Sequence, residues 1–86
     1  REYASLRFRT TLGIAKDLSA LGAVARKSGD AELAYRYLLR AYMVYGAIGS
    51  EAETRKALSE LADAAEVAGR GGEADEYRRL LAGAGN

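Results

Sequence analysis

The sequence predicts an all-α protein in which antiparallel helical hairpins stack side by side as a fragment of an α-solenoid. Its 86 residues include no proline, and the apolar residues recur at the three- and four-residue spacing of amphipathic helices. Glycines interrupt this spacing and so indicate turns. The pattern also repeats along the chain, which is typical of stacked hairpins.

The first helix carries apolar residues at helical spacing from Leu12 to Ala25. It is predicted to end at Gly29, because glycine can close one helix, while Asp30 can cap the next. Residues 1–10 are either the end of a preceding helix or a straight extension of the first one. We expect the extension, because only two threonines and Gly13 argue for a break.

The second helix is predicted from about Ala31 to Gly49, so that residues 11–49 form a first repeat. Ser50 followed by Glu53 predicts a capping box at the start of a third helix. Glycines at 69, 71 and 72 are expected to break that helix before a fourth one, which precedes the glycine-rich residues 83–86. Residues 50–83 are therefore predicted to form a second repeat within a single domain.

An internal repeat is the most informative feature of the sequence. An offset of 40 residues aligns identical residues at eight positions. These are Lys16/Lys56, Leu18/Leu58, Ser19/Ser59, Leu21/Leu61, Ala25/Ala65, Gly29/Gly69, Ala34/Ala74 and Tyr37/Tyr77. The alanines flank the turns, where two antiparallel helices approach closely and a large side chain does not fit. We expect Leu21 and Leu61 to be buried between helices.

A recognisable order of small and apolar residues surrounds both turns. It comprises Leu21, Gly22, Ala25, Gly29, Ala34 and Ala41, and again Leu61, Ala62, Ala65, Gly69, Ala74 and Leu81. This order resembles the tetratricopeptide repeat (TPR) family over residues 11–82, in its longer variety with a 40-residue period and no closing proline. The second unit departs further from the TPR pattern, since Arg78 stands where a large apolar residue is usual.

The TPR resemblance implies a groove lined by the first helix of each hairpin and a role as a scaffold or adaptor that binds a peptide or partner domain. The implied groove residues are Lys16, Ser19, Ala23, Arg26, Lys56, Ser59, Asp63 and Glu66. Relatives that clamp a C-terminal carboxylate have asparagine where this chain has Ala23 and Asp63. Recognition of that group is therefore not expected.

Composition argues against several other functions. Without cysteine or histidine the chain lacks thiolate chemistry, the usual general base and the commonest transition-metal ligand, so no enzyme activity, metal or cofactor is predicted. Carboxylate pairs such as Glu51 and Glu53 lie at helix starts, where the helix dipole favours them. A net charge of +1 argues against a nucleic-acid partner, and charged residues interrupt every long apolar run, which argues against a membrane span.

Tyrosines and charge asymmetry suggest an alternative role as an oligomerisation or regulatory module. Tyr37 is interpreted as packing within its hairpin, whereas Tyr35, Tyr42 and Tyr45 are candidates for an external contact. Residues 1–27 carry six basic and two acidic side chains (+4), and residues 28–86 carry seven basic and ten acidic ones (−3). We therefore expect self-association, or packing on further repeats, through the first helix and through the last helix. The residues expected to contribute are Tyr35, Tyr42, Tyr45, Tyr77, Leu80 and Leu81.

Overall fold

The chain folds into four consecutive α-helices, and the computed structural model describes residues 2–84, with side chains for residues 7–83. The helices are α1 (Glu2–Lys27), α2 (Ala31–Ala47), α3 (Glu51–Val67) and α4 (Gly71–Ala84). Extensive contacts join α1 to α2, α2 to α3 and α3 to α4. The helices form a slab of 44 × 34 × 13 Å, and the predicted all-α array of helical hairpins is confirmed. Arg1 and residues 85 and 86 of the glycine-rich end lie outside the described residues.

Three equivalent turns reverse the chain at Gly29, Gly49 and Gly69, which lie twenty residues apart. Their φ angles are 83°, 74° and 81°, a conformation that only glycine adopts without steric cost. In the first turn the backbone N–H of Asp30 donates to the carbonyl of Ala25 at 2.9 Å, and the same bond recurs in the other two turns. This pattern is a Schellman motif, which satisfies the last carbonyls of each helix and confirms the predicted turns.

The helix starts were predicted only in part. Asp30 caps α2, because its carboxylate accepts a hydrogen bond of 3.1 Å from the backbone N–H of Leu33. The predicted capping box at Ser50 is wrong, since the Ser50 side chain makes no cap hydrogen bond. The Ser50 carbonyl instead accepts from the backbone N–H of Thr54 at 2.8 Å and from the Thr54 hydroxyl at 2.6 Å. Acidic residues in the first turn of α3 favour the same helix start through the helix dipole.

The glycine-rich break before α4 is shorter than expected. Gly69 alone has a positive φ there, and Gly71 and Gly72 belong to the first turn of α4. The backbone hydrogen bond at the start of α4 runs from the N–H of Ala74 to the carbonyl of Arg70 and is 2.9 Å long.

The first helix, with 26 residues, is longer than the others because residues 2–10 continue it without a break. The prediction of an extension is confirmed for these residues. Thr11 does not break the helix, because its hydroxyl donates to the carbonyl of Arg7, one turn earlier, at 2.8 Å. The described side chains of residues 7–10 are all exposed, so these four residues add little buried surface to the hairpin.

Two clusters of buried side chains form the core, and α2 contributes to both. One joins α2, α3 and α4 and comprises Tyr35, Leu38, Leu58, Leu61, Ala64, Ala65 and Ala74. The other joins α1, α2 and α3 and comprises Ala15, Leu18, Ala41, Tyr45 and Ala57. Ala25 and Ala34 are also buried beside the first turn. Small residues therefore do flank the turns where helices approach.

Leu21 departs from the expected core. It is 45% exposed, whereas Leu61, its equivalent in the second repeat, is 0% exposed. The expectation that Leu21 is buried is wrong because burial at this position depends on a preceding helix. Helix α2 covers Leu61, but within residues 2–84 no helix takes that place beside α1.

Candidate protein-binding surfaces

A polar cleft lies between α1 and α3, on the side where the TPR resemblance places a groove. Its volume is about 200 Å³. It is lined by Ser19, Ala20, Tyr45, Glu53, Lys56, Ala57 and Glu60. Tyr45 and Ala57 are buried, while Glu53 and Glu60 are partly buried and Lys56 is exposed. The cleft therefore offers one cationic group and two carboxylates above an apolar base.

Sequence reasoning identified only part of this cleft. Of the eight implied groove residues, Ser19 and Lys56 line it. Its two carboxylates, Glu53 and Glu60, were missed as binding candidates. Glu60 follows Lys56 by one helical turn, so the i, i+4 spacing could have identified it. Glu53 was interpreted as a helix cap, which hid its position on the same face.

The other implied groove residues are exposed but do not line the cleft. Lys16, Ala23, Arg26 and Ser59 belong to this group. Asp63 and Glu66 are engaged by a neighbouring helix, because Arg78 of α4 contacts both. Its Nη2 lies 2.9 Å from Glu66 Oε2 and 3.5 Å from Asp63 Oδ1.

The ion pair with Arg78 also changes the acidity of its partner. The hydrogen bond from Arg78 lowers the pKa of Glu66, and the same bond raises the pKa of the Arg78 guanidinium. Arg78 stands where a large apolar residue was expected, and its guanidinium satisfies the α3 carboxylates. Asp63 and Glu66 are consequently less available to a ligand than their exposure suggests.

A second polar cluster links α2 to α4 and to the turn before it. The Tyr35 hydroxyl donates to a Glu73 carboxylate oxygen in a short hydrogen bond. Because its single proton is used there, the Tyr77 hydroxyl donates to the Tyr35 oxygen at 3.0 Å. The Arg70 guanidinium lies 4.6 Å from the Tyr35 ring centroid, and its Nη2 lies 2.6 Å from Glu32 Oε1. These contacts, which we call the Tyr35 network, hold the start of α4 and the turn before it against α2.

The Tyr35 network shifts the pKa of several members. Burial and the hydrogen bond to Glu73 raise the pKa of Tyr35, so its hydroxyl stays protonated as a donor. The bond from Tyr35, together with Arg70, lowers the pKa of Glu73. The hydrogen bond from Arg70 likewise lowers the pKa of Glu32. Both carboxylates are therefore held in the charged form by the folded structure.

Acidification is expected to weaken the fold through this network. The folded structure lowers the pKa values of Glu32 and Glu73. Their contribution to the free energy of unfolding is therefore complete above the unfolded-state pKa of about 4.3. It is lost as the pH falls through the lower folded-state pKa values. Urea unfolding at pH 7 and at steps below about pH 5 measures this loss. In the Arg70→Gln variant the loss of stability with acid should be smaller.

Arg79→Gln is the matched control for this pH experiment. Arg79 lies on α4, as Glu73 and Tyr77 of the network do, but it forms no ion pair with another residue in the range 7–83. Its removal should leave the dependence of unfolding free energy on pH close to that of the parent chain. Equal pH dependence in the Arg70→Gln variant and the parent would contradict the assignment.

The tyrosines of α2 are distributed differently from the prediction. Tyr35 and Tyr45 are only 5% and 3% exposed, so the expectation that they serve an external contact is wrong. The reason is that α2 packs between α1 and α3 and buries a wide arc of its surface. Tyr37 is partly buried and packs on the cluster shared with α1, in keeping with a role inside its hairpin. Tyr42 is partly buried against both clusters.

Among the side chains described in the last helix, one large apolar side chain is exposed. Leu80 is exposed and lines a shallow apolar pocket of about 360 Å³, which it shares with Tyr42, Thr54 and Leu58. Leu81 and Tyr77 are partly buried against the core. Among the expected contributors from α4, Leu80 is the most accessible to a partner.

Other kinds of site were sought in the part of the chain that the structure describes. No group of three or more Asp and Glu side chains there is arranged to hold a metal ion. In the same range, no helix is both long and apolar enough to cross a bilayer.

Comparison of the chain with protein-family models, curated protein sequences and solved structures gave no match. The resemblance to the TPR family therefore depends on the residues quoted from the sequence.

Proposed function

We propose that this chain is a TPR-like protein-binding module that holds an extended, acidic segment of a partner protein across α1 and α3. The observation that carries the proposal is the polar cleft between these two helices, which Lys56 lines, together with Lys16 at the equivalent position of α1. Lys16 and Lys56 are separated by the 40-residue repeat and are both exposed. Lys16 precedes the cleft residue Ser19 by three positions on α1, so helical periodicity favours one face for both side chains.

The two lysines differ from the paired arginines of the chain. Arg70 and Arg78 are engaged by carboxylates, whereas Lys16 and Lys56 form no ion pair with another residue in the range 7–83. An unpaired ammonium group can bind a partner carboxylate without first giving up an internal ion pair. This availability supports a partner that carries Asp or Glu side chains at two points along its length.

The cleft itself suits the backbone of such a segment. An extended peptide has unpaired N–H and C=O groups that need partners when it is bound. Glu53 and Glu60 can accept hydrogen bonds from backbone N–H groups, and the Ser19 hydroxyl can donate to a carbonyl. The carboxylates of the cleft also repel acidic side chains, so the partner's own carboxylates should be directed to the lysines. Recognition would then depend on spacing as well as charge.

Selection of random peptides displayed on phage against the intact chain tests this function. Enriched peptides should contain Asp or Glu, and their affinity should fall about tenfold or more in the double variant Lys16→Glu/Lys56→Glu, a loss of about 1.4 kcal/mol. Fluorescence anisotropy with one labelled peptide measures the affinity.

The double variant Arg40→Glu/Arg79→Glu is the matched control, since it makes the same change in net charge on α2 and α4, outside the cleft. Its affinity should stay within about threefold of the parent, because charges well away from a ligand are screened by salt. Enriched peptides without acidic residues, or equal losses in the two double variants, would count against the proposal.

Oligomerisation through the end faces is the second candidate, favoured by the exposure of Leu21 on α1 and Leu80 on α4. The two ends are chemically different, however. The α4 residues that occupy the repeat positions of Tyr35 and Leu38 are Asp75 and Arg78. A charged outer edge of this kind resembles the polar face of a terminal repeat. Head-to-tail stacking of copies is therefore less well supported than a contact at α1.

A further inference from the structure

We propose that the outer face of α1 is a docking site for an amphipathic helix of a partner protein, one that resembles α2 but carries a basic residue opposite Asp17. This α1 end face consists of Ile14, Leu21 and Val24 with Leu33 at the start of α2. Ile14 and Val24 are 50% and 61% exposed. The site is separate from the cleft and does not depend on the peptide-binding proposal.

The internal repeat identifies what kind of element fits the α1 end face. An offset of 40 residues places Leu21 and Val24 on Leu61 and Ala64 of α3. Both equivalents are fully buried, and they pack in one cluster with residues of α2. The equivalent surface in the second repeat, on α3, is therefore covered by α2. Helix α2 is amphipathic, which makes a second helix the natural partner for α1.

The edge of the face belongs to α2, and its chemistry differs from that of the second repeat. Leu33 is the equivalent of Glu73, the residue that accepts the hydrogen bond of Tyr35. A leucine cannot accept that bond. A helix docked on α1 would therefore bind more tightly with an apolar side chain at this point than with a tyrosine, whose hydroxyl would lack a partner.

Asp17 supplies the specificity of the face. It is exposed and is equivalent to Ala57, which is buried and packs in one cluster with Ala41 and Tyr45 of α2. An apolar residue placed against Asp17 would desolvate its carboxylate without compensation, whereas Arg or Lys would form a charge-assisted hydrogen bond. The docked helix should accordingly be basic at the position of Tyr45.

A second copy of this chain is a poorer occupant. Its α4 would present Asp75, Arg78 and Ala82 at the repeat positions of Tyr35, Leu38 and Tyr42. Two of these are charged and the third is small, so they offer little apolar surface. Face-to-face pairing of two α1 helices would bring together two segments that each carry a net charge of +4 over residues 1–27, from six basic and two acidic side chains. Charge thus favours a different protein over self-pairing.

Synthetic peptides based on residues 30–49 test the proposal against the intact chain. The probe carries Tyr35→Leu and Tyr45→Arg, and a second peptide carries Tyr35→Leu and Tyr45→Glu. The arginine probe should bind at least about tenfold more tightly than the glutamate peptide, measured by fluorescence anisotropy. Its helical circular dichroism should increase on binding, since an isolated helix of this length is only marginally stable.

Substitutions in the intact chain test where the arginine probe binds. Leu21→Ser and Val24→Ser should each weaken binding of the arginine probe by about fivefold or more. Met43→Ser and Val67→Ser are the matched controls, because these side chains are also exposed but lie outside the α1 end face, and they should change affinity by less than about twofold. Asp17→Lys should reverse the preference, so that the glutamate peptide binds better than the arginine probe.

Three results would overturn the proposal. One is the absence of saturable binding by either peptide, and another is an unchanged peptide preference in the Asp17→Lys variant. The third is a dimer of the parent chain in sedimentation that Leu21→Ser disperses, which would assign the face to a second copy. Lys56 lies on α3, outside the α1 end face, so Lys56→Glu should leave docking of the arginine probe within about threefold, and the two proposals can fail separately.

Discussion

Replacing Leu61 by alanine is expected to lower the free energy of unfolding by about 2–5 kcal/mol, the range measured when a buried leucine is truncated and its cavity only partly collapses. Leu61 is fully buried and packs in one cluster with Tyr35 and Leu38 of α2. The same substitution at Leu21 should cost less than about 1 kcal/mol, because that side chain is already half in contact with water. The two leucines occupy the same position of the repeat, so sequence context is closely matched.

Urea denaturation followed by far-UV circular dichroism measures both leucine variants. A domain of this size has a stability of only about 5 kcal/mol, so Leu61→Ala should be measured in a stabilising osmolyte as well as in buffer. Leu61→Met, which keeps the volume of the side chain, should cost less than about 1.5 kcal/mol and serves as the folded reference. Equal losses for Leu21→Ala and Leu61→Ala would mean that α1 is covered in solution, or that the helices do not stack as described.

Local features of the fold were predictable because their causes lie within a few residues. The turn at Gly29 needs a positive φ that only glycine adopts easily, and Asp30 is placed to accept a bond from the next helix. The alanines that flank the turns, such as Ala25 and Ala34, are small because two backbones meet there. Each of these is visible in a short stretch of sequence.

Burial was harder to predict because it depends on neighbours distant in sequence. Tyr35 and Tyr45 looked available for an external contact, yet α2 lies between two helices and buries both. Leu21 shows the opposite case, since its spacing is that of a core residue but the described residues place no helix over it. Periodicity identifies an apolar face and does not say how many helices cover it.

The candidate site was predictable to a similar extent. Ser19 and Lys56 line the cleft, and both follow from the groove implied by the TPR resemblance. The engagement of Asp63 and Glu66 by Arg78 could not be read from the sequence. Their contact joins α3 to α4 across the turn and depends on the rotamer of a long side chain.

Replacing Gly22 by alanine is expected to destabilise the chain by about 1 kcal/mol, although alanine is the better helix former. A Cβ at this position would lie 2.8 Å from Leu38 Cγ and 2.9 Å from Leu38 Cδ2, closer than such atoms approach in proteins. Leu38 is almost completely buried, so a shift of its side chain would displace its neighbours in the core. Overpacking of this kind costs about 1–3 kcal/mol, which exceeds the gain of about 1 kcal/mol in helix propensity.

Gly13→Ala is the matched control on the same helix. No atom lies within 4 Å of a Cβ built there, so the substitution should stabilise the chain by about 0.5–1 kcal/mol in the same urea experiment. A stabilising Gly22→Ala would mean that α1 and α2 are further apart than described. The second hairpin carries Ala62 and Arg78 at the equivalent pair of positions, and there the arginine turns away to bind Asp63 and Glu66. The extra methyl group of Ala62 is therefore tolerated where the long side chain leaves the helix crossing, and glycine is required where leucine fills it.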